Sequence, residues 1–281
     1  MAKRKRVAFQ GERGAFSEEA AVKLVGGDVV FDPRPRFEEV FKTLAGGQVD
    51  YAVVPIENTL AGSVHENYDH LLRYKLPIVA EARVRIVHNL IARPGVKFSE
   101  IRRAFSHPVA LGQCLRFFEK HPRIKSESYY DTAGSVKMIM EEAPDGVAAI
   151  ASEAAARFYG GHILKRSIED DRQNFTRFFL LIRRAGARSG PAPRGKNLKT
   201  SLVFTTPNTP GALFRCLSVF ALRDINLTKI ESRPLRGKPW EYLFYVDLLG
   251  SVRDAPIRNA LRHLGELTDL LQVLGCYPQG D

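Results

Sequence analysis

The first 182 residues repeat themselves, and that repeat restricts the architecture more than any other feature. "VAFQGERGAFSEEAAVKLV" (7–25) reads as a short apolar strand, a glycine-containing turn and a helical pattern. "AFSHPVALGQCLRFFEKHP" (104–122) reads the same way. "FDPRPRFEEVFKTLAGGQVDYAVVPIEN" (31–58) is then echoed by "YDTAGSVKMIMEEAPDGVAAIASE" (130–153). Each is a strand end with an Asp, a helix, a turn, a buried strand and a polar cluster opening another helix. Two β-α-β-α units at matched spacing predict two similar α/β lobes. "RVRIVHNLIAR" (83–93) and "HILKRSIEDDRQNFTRFFLLIRR" (162–184) fall outside the repeat, where the chain would pass between lobes. Two crossings leave a cleft, and ligands of such sheets sit at strand carboxyl ends near helix N-termini. "QGERG", "PIENTLAGS", "SHPVA" and the pair Thr176–Arg177 then surround one cleft, whose expected occupant is a small anion.

The sharpest break in composition is "RRAGARSGPAPRGKN" (183–197), rich in Gly, Pro, Ala and Arg with no apolar period. It reads as a linker, dividing the chain into a domain at 1–182, a basic linker at 183–199 and a second domain at 200–281. In the second domain "TSLVFTT", "NLTKIESRPL", "WEYLFYVDLLG" and "QVLGCYP" read as strands. "PGALFRCLSVFALRDI" and "APIRNALRHLGELTD" read as helices. The order β-α-β-β-α-β is the split βαβ of ferredoxin-like domains.

The net charge of +11 invites a nucleic-acid reading, but most of the excess lies at Lys3, Arg4, Lys5, Arg6, Arg183, Arg184, Arg188, Arg194, Lys196 and Lys199. These positions are a tail and a linker, where charge is ordinarily solvated, and no recognition helix or base-stacking motif accompanies them. No apolar run reaches the roughly 18 residues needed to span a bilayer, and no secretory signal pattern follows "MAKRKRVAF". Cys114, Cys216 and Cys276 lie far apart without metal-ligand spacing; an odd number of thiols suggests a reducing cytoplasm. HExxH, GxSxG and Walker lysine patterns are missing, so metalloprotease, serine-hydrolase and P-loop chemistry is disfavoured.

At the cleft, each motif has a plain and a functional reading. Ser63 with Glu66 fits a capping box that opens a helix at Val64; Asn58 and Thr59 would then project beside a positive helix end. Gly11 and Gly14 form a tight turn, or a turn whose backbone N–H groups hold a carboxylate. Ser106, His107 and Gln113 open a helix as caps or as ligand contacts. "DTAGS" (131–135) reads as another cap. In "QNFTRFFLL" (173–181), Thr176 and Arg177 interrupt a strand otherwise fit for burial. Neighbours on a strand face opposite ways, so both reach one cleft only at a bend or strand end. A buried arginine needs an anion: a substrate carboxylate, or Asp170 or Asp171.

"VAFQGERGAFSEEAA", "VVPIENTLAGSV", "SHPVALGQC", "DTAGSVKMI" and "NFTRFFLL", in that order, resemble the blocks of prephenate dehydratases. "PNTPGALFRCL" and "IESRPL" resemble the phenylalanine-binding elements of the ACT domain appended to that family. The resemblance runs from residue 7 to about 278, with the long linker and "DLLG" (247–250) as minor departures. It implies a two-lobed fold like that of periplasmic binding proteins, followed by a ferredoxin-like ACT regulatory domain. The implied activity is conversion of prephenate to phenylpyruvate with loss of water and carbon dioxide, by a monofunctional enzyme with no cofactor. Thr176 would be the catalytic threonine, holding the departing hydroxyl, and Arg177 a carboxylate clamp. Asn58, Gln113 and Glu57 match positions associated with substrate or leaving group; Gly11, Gly14, Thr59, Ser106 and Phe178 are further candidate substrate contacts. L-Phenylalanine would bind at Asn208, Pro210, Gly211, Ala212, Leu213, Glu231, Ser232, Arg233 and Pro234 of a homodimer or homotetramer, with no nucleic-acid or membrane partner. The rival readings are arogenate dehydratase and a non-catalytic amino-acid-sensing protein.

Overall fold

The computed structural model describes residues 4–142, 145–183, 197–235 and 237–280. The sequence expectations at Lys3, Arg184, Arg188, Arg194 and Lys196, and most of the linker, lie outside these residues. Two compact units emerge: one comprises Met1–His70 with Ala82–Leu180, the other Leu71–Glu81 with Leu181–Asp281.

The first unit contains the repeat. β1 (Arg6–Gln10), α1 (Phe16–Val25), β2 (Val30–Arg34), α2 (Phe37–Ala45) and β3 (Tyr51–Asn58) form its first half. β2 and β3 both run parallel to β1 and flank it. Val7, Ala8 and Phe9 are fully buried, as expected of a parallel strand covered on both faces. β4 (Gly62–Ser63) folds back on β3, pairing Ser63 with Glu57, and α3 (His65–Tyr74) starts one residue later than the capping-box pattern suggested. After β5 (Ile78–Arg85) the chain enters the second lobe through residues 86–88.

That lobe contains β6 (Asn89–Ala92), β7 (Arg103–Ser106), α4 (Pro108–Gly112), α5 (Leu115–Lys120), β8 (Lys125–Ser128), α6 (Thr132–Glu141), β9 (Val147–Ala151), α7 (Glu153–Tyr159) and β10 (His162–Lys165). β8 and β9 flank β7 in parallel, the arrangement that β2 and β3 make around β1. β6 then pairs antiparallel to β9, and β10 to β6. Leu90, Ile101, Ala104, Phe117 and Ile150 build the core of this lobe. The chain returns through residues 166–174 into β11 (Phe175–Ile182), which lies beside β3.

The second unit carries β12 (Leu198–Thr206), α8 (Ala212–Ala221), β13 (Leu227–Pro234), β14 (Tyr242–Leu249), α9 (Ala255–Leu267) and β15 (Leu271–Pro278). The strand order β13-β14-β12-β15, antiparallel throughout, is that of the split βαβ. Leu202, Phe204, Val246 and Leu248 on the sheet pack with Cys216, Val219, Phe220, Ile257, Ala260 and Leu264 on the two helices. Lys199 corrects the reading of a solvated basic linker. It lies inside β12 at 2% exposure, its ammonium 2.7 Å from the buried carboxylate of Glu81. Arg4, Lys5 and Arg6 are likewise paired, with Asp28, Asp50 and Asp32.

Candidate active site

Between the lobes of the first unit lies a cavity of about 400 Å³. Three helices of eight residues or more bring their starts to it: Phe16 and Ser17 from α1, Val64 just before α3, and Asp131 and Thr132 from α6. Unsatisfied first-turn N–H groups and the helix dipole favour a negative ligand there. No lysine or arginine is among the described residues that line it.

One wall is a connected set of polar side chains drawn from both lobes and both crossings. Asn58, the last residue of β3, donates from Nδ2 to Thr176 Oγ1 at 3.0 Å, Asn174 Oδ1 at 2.7 Å and the Phe175 carbonyl at 3.1 Å. Its Oδ1 accepts from the backbone of Leu60 at 3.0 Å and Ala61 at 2.8 Å. Those backbone donors fix which end of the amide is oxygen. Gln113, at the end of α4, therefore presents Nε2 to Asn58 Oδ1 at 3.4 Å. Its Oε1 accepts from Asn174 Nδ2 at 2.8 Å and lies 2.9 Å from His88 Nε2.

Strand parity decides the pair that interrupts β11. Thr176 faces the cavity. Arg177 points to the other side, where Nη1 lies 3.0 Å from Glu57 Oε1 and the guanidinium sits 4.7 Å over the Phe179 ring. No bend brings both to one cleft. The carboxylate-clamp expectation for Arg177 is thereby corrected, and Glu57, its partner, does not line the cavity either. Nor do Asp170 and Asp171 meet this arginine: Asp170 accepts from the backbone of Leu115 and Arg116, and Asp171 from that of Gln173.

Models of two families match the chain: prephenate dehydratase over residues 7–186 and the ACT domain over 200–266. The chain belongs to the prephenate dehydratase family. An Arabidopsis thaliana protein named arogenate dehydratase/prephenate dehydratase 2 is 46% identical, over 98% of this chain and 73% of the relative. Prephenate dehydratase from Arthrobacter aurescens, solved in complex with L-Phe, superposes with a TM-score of 0.88 at 33% identity, over 97% of this chain and 89% of the other. A structure described as GqqA, a novel type of quorum quenching acylase, gives 0.89 at 32% identity over 98% of each chain.

Other residues that the prephenate dehydratase resemblance suggested as substrate contacts lie off the cavity wall. Thr59 clasps the returning strand, its Oγ1 donating to the Gln173 carbonyl at 2.8 Å and accepting from Phe175 N at 3.0 Å. Ser106 is fully buried and donates to the Ile150 carbonyl at 2.6 Å; Phe178 is a core side chain at 2% exposure. Gly11 (φ +109°) and Gly14 (φ +81°) serve close approach of the first lobe's turn to the second lobe. A Cβ on Gly14 would stand 2.5 Å from the Ala155 Cα, and one on Gly11 3.0 Å from Asp131 Oδ2. Ser152, capping α7, donates to the Gly14 carbonyl at 2.6 Å, while Tyr130 donates to Glu12 at 3.0 Å. The turn is a strap between lobes.

Two members of this hydrogen-bonded set, one lining the cavity and one buried behind it, carried no sequence signal of their own. His88 and Asn174 sit in the two crossings, where no period marks them. Burial lowers the pKa of His88, opposed by its hydrogen bond to Gln113 and by nearby Glu169. Burial lowers His107 as well, against the pull of Asp131; its Nδ1 accepts from Val109 N at 3.2 Å and so bears no proton. Asp131 is raised by burial, in spite of hydrogen bonds from the backbone of Gly134 and Glu12.

In the second unit, Thr206 at the end of β12 and Pro234 at the end of β13 both pair with Tyr242. The loop holding Asn208 and Pro210 and the segment Glu231–Pro234 therefore share one end of the sheet. Gly211, at φ +75°, is the N-cap of α8 and has no side-chain cap, while Ala212 and Leu213 open that helix.

Proposed function

We propose that this chain converts prephenate to phenylpyruvate, water and carbon dioxide, with Thr176 as the catalytic hydroxyl and Asn58 and Gln113 as the amides that set its direction. The observation that carries the reading is the order of donors and acceptors along the wall. Backbone N–H groups fix Asn58 Oδ1, so the group facing Thr176 Oγ1 at 3.0 Å is the amide nitrogen. Its two hydrogens are shared among Oγ1, Asn174 Oδ1 and the Phe175 carbonyl, and it cannot accept from the threonine. The threonine's own hydrogen is then directed to a ligand, and a donor is what a departing hydroxyl needs. A threonine hydroxyl is too weak an acid to surrender its proton outright, so it orients and polarises the leaving oxygen. The two carboxylates of prephenate are met by helix starts and the apolar cavity; aromatisation of the ring supplies the driving force for decarboxylation.

The same geometry speaks against amide hydrolysis of the acylase kind. An activated nucleophile needs a neighbouring base, and the side-chain partner of Thr176 Oγ1 is an amide nitrogen. Dehydration of arogenate is the second reading, favoured by the double name of the plant relative. Steady-state turnover of both compounds by the purified chain tests the proposal. Formation of phenylpyruvate from prephenate is expected, and a chain that leaves prephenate intact would refute it.

Regulation belongs to the same proposal. L-Phenylalanine would set its carboxylate on the start of α8 and its ammonium near Glu231, in a homodimer or homotetramer whose assembly is biased by the effector. The L-Phe complex of the Arthrobacter relative supports this reading. Cys114, Cys216 and Cys276 form no disulfide, in keeping with a cytoplasmic enzyme; no helix among the described residues is long and apolar enough to cross a membrane.

A further inference from the structure

The reaction needs a proton that Thr176 cannot supply, and the wall contains a group placed to carry one. Gln113 Oε1 is an acceptor, because its Nε2 is committed to Asn58 Oδ1. The His88 nitrogen facing it, Nε2, must therefore bear hydrogen. In the neutral imidazole the other nitrogen, Nδ1, is then a bare lone pair. It is buried and has no hydrogen-bond partner among the described residues, in a side chain 2% exposed that lines the cavity. An orphaned buried acceptor of this kind calls for an explanation.

The remaining titratable groups on the wall are less suited to the task. His107 Nδ1 already accepts the Val109 N–H, so protonation there would cost the cap of α4. Asp131 is raised by burial, but it accepts from Gly134 N at 2.7 Å and from the Glu12 backbone, bonds that favour the carboxylate and that a proton would weaken. Tyr130 is raised further from its ordinary range by burial and Glu12. His88 alone among these gains a proton without losing a hydrogen bond. Its surroundings accept a cation: Gln113 Oε1 from the end of α4, and Glu169 from the returning crossing, whose Oε2 takes the His88 backbone N–H at 2.9 Å. Arg85 of β5 balances Glu169 from 3.6 Å, and Phe16 of α1 packs edge-on at 5.8 Å. With no lysine or arginine among the described residues that line the cavity, a substrate with two carboxylates brings uncompensated negative charge beside this imidazole, which favours its protonated form.

We infer that His88 is the proton carrier of the site, taking a proton at Nδ1 as the dicarboxylate enters and giving it to the departing hydroxyl. The C–O bond breaks with its electron pair on oxygen, and the Nδ1 proton converts that oxygen to water. The electrons of the C–COO⁻ bond become ring π electrons, carbon dioxide leaves, and His88 returns to the neutral form until solvent reprotonates it. Thr176 holds the same oxygen by its O–H throughout. This assignment rests on the dehydratase reading, and turnover of prephenate by the unaltered chain tests that reading separately.

The decisive variant is His88→Gln, whose amide can still donate to Gln113 but never ionises; His88→Asn serves as a second neutral replacement. The expected result is a loss in kcat of about 10²–10⁴-fold, the range for general acid catalysis, with KM changed only severalfold. The unaltered chain should lose kcat at alkaline pH, and that fall should be absent from both variants. Independently, prephenate binding to the slow Thr176→Val variant, measured by calorimetry in buffers of different ionisation enthalpy, should take up about one proton at pH 8, where free His is neutral. A folded neutral variant with kcat within about threefold of the original would overturn the assignment, as would binding without proton uptake.

Discussion

Thr176→Val removes one oxygen and keeps the side-chain shape, so its effects on fold and chemistry separate. Thr176 is 9% exposed, and its Oγ1 takes a single hydrogen bond from Asn58 Nδ2 at 3.0 Å. That nitrogen keeps Asn174 Oδ1 and the Phe175 carbonyl as acceptors, so no buried donor is orphaned. The stability cost is then that of one ordinary hydrogen bond, about 1 kcal/mol. The chemical cost is larger, because the lost O–H is the donor aimed at the departing oxygen. Loss of one such preorganised donor is expected to lower kcat by about 10²–10³-fold, or about 2.7–4 kcal/mol of barrier. KM should change little, since the carboxylates are bound elsewhere. Thr176→Ser keeps the hydroxyl and should retain kcat within about tenfold. The assay is phenylpyruvate formation from prephenate under saturating substrate, with urea unfolding of the same preparations. A valine variant that unfolds like the original and keeps its kcat would refute the donor role, and with it the argument from hydrogen-bond direction.

Other perturbations test separate parts of the structure. Lys199→Met leaves the fully buried Glu81 carboxylate without its ammonium, and should cost about 3–5 kcal/mol by urea denaturation. Gly14→Ala forces a Cβ onto the Ala155 backbone at φ +81°; the loss should clearly exceed the roughly 1 kcal/mol of an unhindered left-handed glycine, and should appear in melting temperature. Gly211→Val strains the uncapped start of α8 at φ +75°, and calorimetry should show weakened L-phenylalanine binding with prephenate turnover retained. His88 and His107 both have lowered pKa values in the folded chain, so the unfolded chain binds more protons in the window just below the ordinary histidine value of about 6.5. Stability should therefore fall as pH drops through that window, and His88→Gln should make the fall shallower.

What could be read from the sequence, and what could not, follows from the range of the forces involved. The lobes were legible because β1-α1-β2-α2-β3 and its counterpart from β7 to β9 carry local apolar periods that repeat. Thr176 was legible because a hydroxyl between Phe175 and Phe178 breaks a strand pattern. Arg177 breaks it too, and the sequence does not say which anion meets it. Parity sends the two neighbours to opposite faces, and the register of β11 against β3 delivers Glu57 to the arginine. Gly11 and Gly14 suggested a ligand turn equally well, yet they admit α6 and α7 of the other lobe, an approach visible only in three dimensions. His88 and Asn174 lie in aperiodic crossings, but each joins the wall through Gln113, a residue of the opposite lobe.

Removing Arg177 from the cavity changes the electrostatic account of the site as well as its inventory. A fixed arginine would hold a carboxylate equally before and after reaction, and uniform binding of that kind does not lower the barrier. Helix dipoles, a directed hydroxyl and an imidazole able to change its charge respond differently. The imidazolium is most stabilised while the dianion is present and loses its proton as carbon dioxide and water form. A wall whose amides surround the His88 ring therefore ties its positive charge to the stage of the reaction that requires it.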